Sequence, residues 1–354
     1  MKDSFEILKD LYGQEVDPTP YGNGHINRTY VSKGKPRLIV QQINTHVFPR
    51  PLDMMNNIVA VTKHLTKKLV AAGKDPLRAT LTVVPNKNGE NVSVIGNDYY
   101  RAYLFVEDSV CYDLVSPAIL EEAGKSYGAF QQLLADFPAE TLFETIPHFH
   151  DTPSRYVTFT EVLERDAHGR AASCKEEIAF FKAHEDFYHT VQDRLDSGVL
   201  PLAVTHNDTK INNILFDKDG KGLCVIDLDT VMPGSRLYDF GDALRTGAAT
   251  AAEDEEDLEK VGFDEEKFAA FARGYLSTVK DAMTEEEIQL LPESFLLLTL
   301  ECGMRFLTDY LDGDNYFRIH KPNHNLIRAR NQMKQAIEIE KRLPQLHEIV
   351  REST

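Results

Sequence analysis

Apolar and polar positions in the first hundred residues follow a strand-like pattern, interrupted by one helical stretch. Residues 37–43 (RLIVQQI) read as a strand. In 52–72, Met55, Ile58, Val59, Thr62, Leu65 and Leu69 recur at helical spacing, which predicts a helix; Gly73 and Pro76 end it. Residues 81–85 and 91–95 flank Asn86-Lys87-Asn88-Gly89, a turn signal that predicts a hairpin between them. Residues 99–106 read as one more strand.

From about Ser116 the period becomes helical. The stretches 118–136, 175–198, 264–283, 285–312 and 326–351 are amphipathic, and the proline-bounded 147–153 breaks the pattern between the first two. The expected layout is therefore α+β: residues 1–108 as a small strand-rich N-terminal lobe and 109–354 as a larger helical lobe. A chain of 354 residues also exceeds one ordinary core, which favours two lobes.

One stretch inside the helical part departs from its surroundings. Residues 205–217, THNDTKINNILFD, crowd polar groups ahead of the apolar triplet 214–216. A glycine-containing turn near Asp219 and Gly220 then leads to 223–229, LCVIDLD, which predicts a β-hairpin. Centring the turn there sets Asn213 across from about Ile226 or Asp227, at the open end. An amide and a carboxylate at one point suit Mg²⁺, with phosphates and water completing the shell. His206-x-Asp208-x-x-x-x-Asn213 followed by Asp227 gives, in order, the parts of a phosphoryl-transfer site. Asp208 is the expected base for an attacking hydroxyl, and Asn213 and Asp227 are the expected metal ligands.

Such a site also needs a glycine-rich turn over the phosphates. Gly22 and Gly24, in residues 20–32 (PYGNGHINRTYVS), precede a β-branched and aromatic strand and fit that role. Residues 104–108, with Phe105, Val106 and Glu107 at their centre, are the expected hinge whose backbone pairs with adenine.

Bulk composition narrows the partners. A net charge of −17 argues against a nucleic-acid partner, which would need a basic face. No run reaches the length of a membrane span, and Met1 to Phe5 begin no apolar leader. Four scattered cysteines without a C-x-x-C pair set the expectation of a reduced, cytoplasmic protein. A monomer acting on small molecules is expected.

These residues carry a resemblance. The chain resembles the aminoglycoside-phosphotransferase and choline-kinase superfamily, and more closely the N-acetylhexosamine 1-kinases. The matching stretches are PYGNGHINRTY, QQINTHVFP, FHDTPSRY, THNDTKINNILFD, VIDLDTVMPGSRLYDFGDALRTGAATAAEDE, LECGMRFLTDYLDGDNYF and PNHNLIRAR, in order from about Pro20 to Arg330. The resemblance implies a protein-kinase-like bilobal fold and ATP- and Mg²⁺-dependent phosphorylation of an amino sugar at its anomeric hydroxyl. It implies Asp208 as base, Asn213 and Asp227 as metal ligands, and His25, Arg305 and Tyr316 at the sugar.

One departure stands out. The strand expected to carry a phosphate-binding lysine reads Leu38-Ile39-Val40-Gln41-Gln42, and the following helix offers Asn56 and Asn57 where its glutamate partner belongs. Phosphate binding is left to the glycine turn, the metal or Arg28. A same-fold kinase with a cationic acceptor is the competing reading, favoured by the acidic charge; the absence of tryptophan excludes a Trp-based cage for it. A third reading, a catalytically dead binding module, sits poorly with intact Asp208, Asn213 and Asp227.

Several polar groups outside that set have blander readings. Glu301, Arg305 and Asp309 at i, i+4 spacing predict an ion-pair ladder along one helix. His148, His150 and Asp151 predict a loop cap. Asp239, beyond Asp227, is expected to support the catalytic loop.

Overall fold

The computed structural model of the protein describes residues 3–22, 26–112 and 115–354. They gather into two compact units. One comprises Met1–Cys111, Asp136–Ile146 and Ile214–Pro233; the other comprises Tyr112–Ala135, Pro147–Asn213 and Gly234–Thr354.

In the first unit, helix α1 (Ser4–Tyr12) is followed by β1 (Arg28–Val31), β2 (Leu38–Ile43), α2 (Pro51–Ala71), α3 (Pro76–Ala79), β3 (Ser93–Ile95) and β4 (Asp98–Leu104). The strands form an antiparallel sheet in the order β1-β2-β4-β3. Pairing of Tyr30 with Val40 and of Val40 with Ala102 aligns one face, which buries Leu8 of α1, Val16, Leu38 and Tyr100. Thr29, Gln41 and Arg101 form a row on the opposite face. Helix α2 buries Met55, Ile58, Thr62, Leu65 and Leu69 of the predicted stripe, with Met54 and Val61 beside them, while Val59 is only part-buried.

Two local readings are corrected here. The chain at 86–90 does turn: Asn86 N donates to Glu90 O at 2.8 Å, and Gly89 takes a φ of 82°. Its arms do not pair with each other, however. Val84 N donates to Ala102 O while β3 pairs with Tyr99 and Tyr100, so both arms line the same edge of β4. The second correction is α1, which the sequence reading passed over; a reciprocal capping box between Asp3 and Glu6 secures its start.

The predicted hairpin is present as Ile214–Phe216 against Gly222–Val225, with Ile214 opposite Val225 and Leu215 opposite Cys224. Asp217 and Lys221 close its turn, and Gly220 supplies a φ of 80°.

The second unit is helical: α4 (Pro117–Leu133), α5 (Thr152–Arg165), α6 (Lys175–Ala183), α7 (Glu185–Asp196), α8 (Arg236–Gly247), α9 (Glu265–Val279), α10 (Glu285–Gln289), α11 (Leu291–Leu311), α12 (His324–Glu340) and α13 (Leu343–Ser353). Strand β5 (Ala203–Thr205) leads into the polar loop. Helix α11 forms the centre, with Leu291, Phe295, Leu300, Met304, Leu307 and Leu311 fully buried against its neighbours. Helices α4 and α9 meet at glycines: a Cβ on Gly274 would lie 2.0 Å from Glu121 O.

Three stretches read as single helices are each split. Pro292 and Pro344 occupy the first turns of α11 and α13, where the missing N–H is harmless, so the preceding helices stop short. Between α6 and α7 the His184 ring bonds Phe180 O at 2.8 Å, taking the carbonyl a continuing helix would use. Helix α8 was not read from sequence; it is buried on nearly all sides, its charged Arg236, Asp239, Asp242 and Arg245 included.

Candidate active site

Residues 205–213 connect β5 to a short 3-10 turn, Ile211–Asn213, and α8 holds the connection in shape. The Asp239 carboxylate accepts His206 N at 2.9 Å and Asn207 N at 2.8 Å, and Gln131 Nε2 also donates to it. Asp242, on the same helix face one turn later, accepts Thr209 N at 2.9 Å. Tyr127 OH donates to Lys210 O at 2.7 Å, and Asn207 is left-handed with a φ of 66°. This bonding forces a tight reversal that projects Asp208 out of the loop. The support role read for Asp239 is thus visible in its hydrogen bonds.

Asn213 Nδ2 donates to Asp208 O at 2.8 Å and to Asp208 Oδ2 at 3.2 Å. With its amide hydrogens so engaged, its Oδ1 is the atom with lone pairs left to offer. Lys210 Nζ lies 2.8 Å from Asp208 Oδ1. Burial raises the Asp208 pKa, but Lys210, then His206 and Arg245, outweigh it and hold the carboxyl below its ordinary value. Asp208 is therefore an ionised acceptor at neutral pH. Lys210 was not singled out from sequence, although its place two residues after Asp208 was the available signal.

His150, read as part of a loop cap, does something else. Its Nδ1 lies 2.8 Å from Glu301 Oε1 and its Nε2 3.2 Å from Asn207 O, inside the protein. Thr152 Oγ1 donates to the other Glu301 oxygen at 2.7 Å. Asp151 alone caps α5, accepting Ser154 N, and His148 bonds Asp151. The Glu301–Arg305–Asp309 ladder also stops after one rung. Glu301 Oε1 and Arg305 are 3.8 Å apart, whereas Asp309 accepts Asn315 N, Tyr316 N, Phe317 N and Asn325 Nδ2. Folding the 309–317 segment in this way sets three rings around the Arg305 guanidinium: Phe149 at 5.4 Å, Phe317 at 5.5 Å and Tyr316 at 5.8 Å. Arg305 and Tyr316 are thus neighbours within this unit.

The first unit holds the other candidates. Asp227 follows the hairpin with φ 59° and ψ 57°, a left-handed residue at the head of the turn Leu228–Thr230. Gly22 has a φ of 76°, and neighbouring Tyr21 lies edge-on to Phe105 at 6.0 Å. Gly24 and His25 fall outside the described residues. In the expected hinge, Phe105 N donates to Arg37 O at 3.0 Å, Arg78 donates to Glu107 O at 2.8 Å, and Ser109 Oγ donates to Val106 O at 2.8 Å. Arg37 also pairs with the Glu107 carboxylate and covers the Phe105 ring at 3.8 Å.

Arg28 is exposed and shares a row with Gln42 and Tyr100, on the sheet face that carries Tyr30. The opposite face carries a cation that sequence reading passed over. Arg101, 1% exposed, lies 2.5 Å from Asp229 Oδ1 and donates twice to Gln41 Oε1, at 3.0 and 2.8 Å. Its signal was a lone arginine among the aromatic and apolar residues of the strand DYYRAYL. Asn57, read as a vacant glutamate position, is buried and donates to Val231 O at 3.0 Å and Phe143 O at 2.8 Å.

Among the described residues, no cluster of three or more His, Cys, Asp or Glu side chains makes a metal cage. Asp227 in the first unit and Asn213 in the second are the two donors expected from sequence. A carboxylate and an amide are a sparse pair, of the kind Mg²⁺ takes when phosphates and water complete its shell. No helix among the described residues is long and apolar enough to cross a membrane.

The sequence profile of the phosphotransferase enzyme family matches residues 17–274. Solved structures agree on the fold. The amicoumacin kinase hAmiN in complex with AMP-PNP, Ca²⁺ and Ami is 14% identical, with 96% of this chain and 94% of that one covered at a TM-score of 0.57. The choline kinase from Cryptosporidium parvum Iowa II is 14% identical, with 93% and 90% covered at 0.59. The spectinomycin phosphotransferase in complex with ADP and spectinomycin is 11% identical, with 96% and 97% covered at 0.55. The fold is the mixed α and β, protein-kinase-like fold of these enzymes.

Proposed function

Because the chain belongs to the phosphotransferase enzyme family, we propose that it is an ATP- and Mg²⁺-dependent sugar kinase. In this reading it phosphorylates the anomeric hydroxyl of an N-acetylhexosamine such as N-acetylglucosamine or N-acetylgalactosamine. The observation that carries the kinase part is the Asp208–Lys210–Asn213 cluster, with its carboxylate kept ionised inside a rigid loop.

Asp208 orients the acceptor hydroxyl and takes its proton as the oxygen bonds to the γ-phosphorus. The bond from that phosphorus to the ADP oxygen breaks at the opposite side, so ADP leaves with the electron pair. Asn213 Oδ1 and the Asp227 carboxylate are the residues that would hold Mg²⁺. When bound, the ion would neutralise charge on the phosphates. Lys210 balances the carboxylate before transfer and offers a cation to the arriving phosphoryl oxygens. Phe105, Val106 and Glu107 would receive adenine: the bonds to Arg37 and Arg78 leave the Phe105 carbonyl and the Glu107 N–H for its edge.

The aromatic surroundings of Arg305 favour a neutral sugar. Phe149, Tyr316 and Phe317 could shelter a quaternary ammonium, but a guanidinium already occupies their centre. A second cation there would be repelled, whereas sugar hydroxyls gain a donor. The acidic net charge still favours the rival reading, a cationic acceptor such as an aminoglycoside or choline. Coupled ADP release with N-acetylhexosamines, kanamycin-type amines and choline decides between them. Turnover with the hexosamines and a 1-phosphate product is expected; a clear preference for an amine overturns the sugar assignment.

A further inference from the structure

The turn that carries Asp227 is anchored from behind by groups that neither the family match nor the proposed mechanism assigns. Two residues past Asp227, Asp229 is 3% exposed. One of its oxygens lies 2.5 Å from Arg101, and the other accepts Asn27 Nδ2 at 2.6 Å. Arg101 is fixed in turn by its double bond to Gln41 Oε1, and Gln41 Nε2 donates to Thr29 Oγ1 at 3.1 Å. Asn27 Oδ1 accepts Asn44 N at 3.0 Å. The network therefore joins the chain just after the glycine turn, three strands of the sheet and the metal-ligand turn.

Gln41 lies on the strand where a phosphate-binding lysine was expected, and Arg101 is its direct cross-strand neighbour. The cation missing from β2 is present one strand away, buried and paired with Asp229. We propose that Arg101 is a positioning residue: through Asp229, whose other oxygen Asn27 holds, it sets the Asp227 turn in the geometry that accepts Mg²⁺. The proposal rests on the kinase reading of the site. A buried guanidinium suits this work because its planar fork binds a carboxylate and an amide oxygen at once, which an ammonium cannot match. It also offsets the mutual repulsion of Asp227 and Asp229, carboxylates two residues apart in one turn.

The test is calorimetric binding of AMP-PNP to the full-length protein, with Mg²⁺ and again in EDTA. The variants are Arg101→Lys, the neutral pair Arg101→Gln/Asp229→Asn, and Asn27→Ala. Folding is checked by circular dichroism and thermal unfolding. The neutral pair avoids an orphaned buried charge, and Asn27 is only half-buried, so a collapse of one variant leaves the others to decide. The expected result is an Mg²⁺-dependent affinity lowered about tenfold or more, the range for groups that orient a metal ligand from behind. Metal-free affinity should change by less than about twofold, and Arg101→Lys should retain more than the neutral pair. Folded variants with wild-type Mg²⁺-dependent affinity, or with equal losses in EDTA, overturn the proposal. A wild-type protein that binds no nucleotide overturns it together with the kinase reading.

Discussion

Lys210 Nζ sits 2.8 Å from Asp208 Oδ1, two residues along one loop whose backbone is pinned by α8. That pairing is the main force holding the Asp208 carboxyl below its ordinary pKa against the opposing effect of burial. Removing the cation leaves burial dominant, so the pKa should rise. Lys210→Met is therefore expected to move the acid limb of the kcat/KM profile to higher pH, read between about pH 4 and 8. An unmoved limb would separate Lys210 from the titration of the base.

Asp208→Asn keeps the side chain's shape, but its one oxygen cannot serve both Lys210 and Asn213 and it cannot accept the hydroxyl proton. Turnover should fall by about 10² to 10⁴, with nucleotide affinity close to unchanged. Asp227→Ala and Asn213→Ala should both raise the Mg²⁺ concentration for half-maximal rate, Asp227→Ala more, because a carboxylate brings formal charge and an amide only a dipole. Rates insensitive to Mg²⁺ in both variants would remove these two from the metal site.

How far the sequence carried this picture depended on the kind of signal. The helix α2, the hairpin after Asn213 and the helical second half announce themselves through periodicity and turn chemistry. Helix α8 was passed over: its Arg236, Asp239, Asp242 and Arg245 recur every three residues, but that polar face is buried and not solvated. The loop proposed to hold the base was legible as a candidate from spacing within thirteen residues, since its members are close in the chain. Arg101 and Asp229 were not, for their partnership spans 128 positions and exists only once β4 and the hairpin are folded together. His150 and Glu301 repeat the lesson: each looked like a local cap or ladder residue, and each is the other's buried partner.

That buried pair has a pH signature. Burial alone would raise the Glu301 pKa; His150, Arg305 and the Thr152 hydroxyl reverse this and hold it at about 2. A carboxyl depressed in the folded state contributes stability above its unfolded pKa, near the ordinary value of 4.5, and loses it as pH falls toward 2. The contribution at neutral pH is on the order of 3 kcal/mol. Thermal unfolding followed from pH 6 down to about pH 3 should show Glu301→Gln with a shallower acid loss than the wild type. Parallel curves would mean that other carboxyls govern acid unfolding.

Close approach of α4 and α9 gives a packing prediction. A methyl on Gly274 would meet the Glu121 carbonyl at 2.0 Å, and backbone cannot yield as a side chain does. Gly274→Ala should destabilise by about 3 kcal/mol, at the upper end for an overpacked core. Wild-type thermal stability in that variant would mean the two helices separate readily.

The sugar assignment turns on Arg305. Its guanidinium is framed by Phe149, Tyr316 and Phe317, and Glu301 lies 3.8 Å away, so its position is fixed before any acceptor arrives. Asp309 orders the segment that supplies Tyr316 and Phe317 by accepting three successive backbone N–H groups. A preset donor of this kind binds sugar hydroxyls without further ordering, and leaving a buried hydroxyl unpaired costs roughly 1–3 kcal/mol. Arg305→Ala should therefore raise the KM for the hexosamine by about tenfold or more, the factor that follows from such a loss. The KM for ATP should stay within about twofold, because the site of the change is the acceptor's and not the nucleotide's. Asp309→Ala, which frees the aromatic segment while keeping Arg305, should show the same split to a smaller degree. Equal rises in both KM values would place Arg305 in the support of the whole unit, and an unchanged hexosamine KM would remove it from the acceptor site.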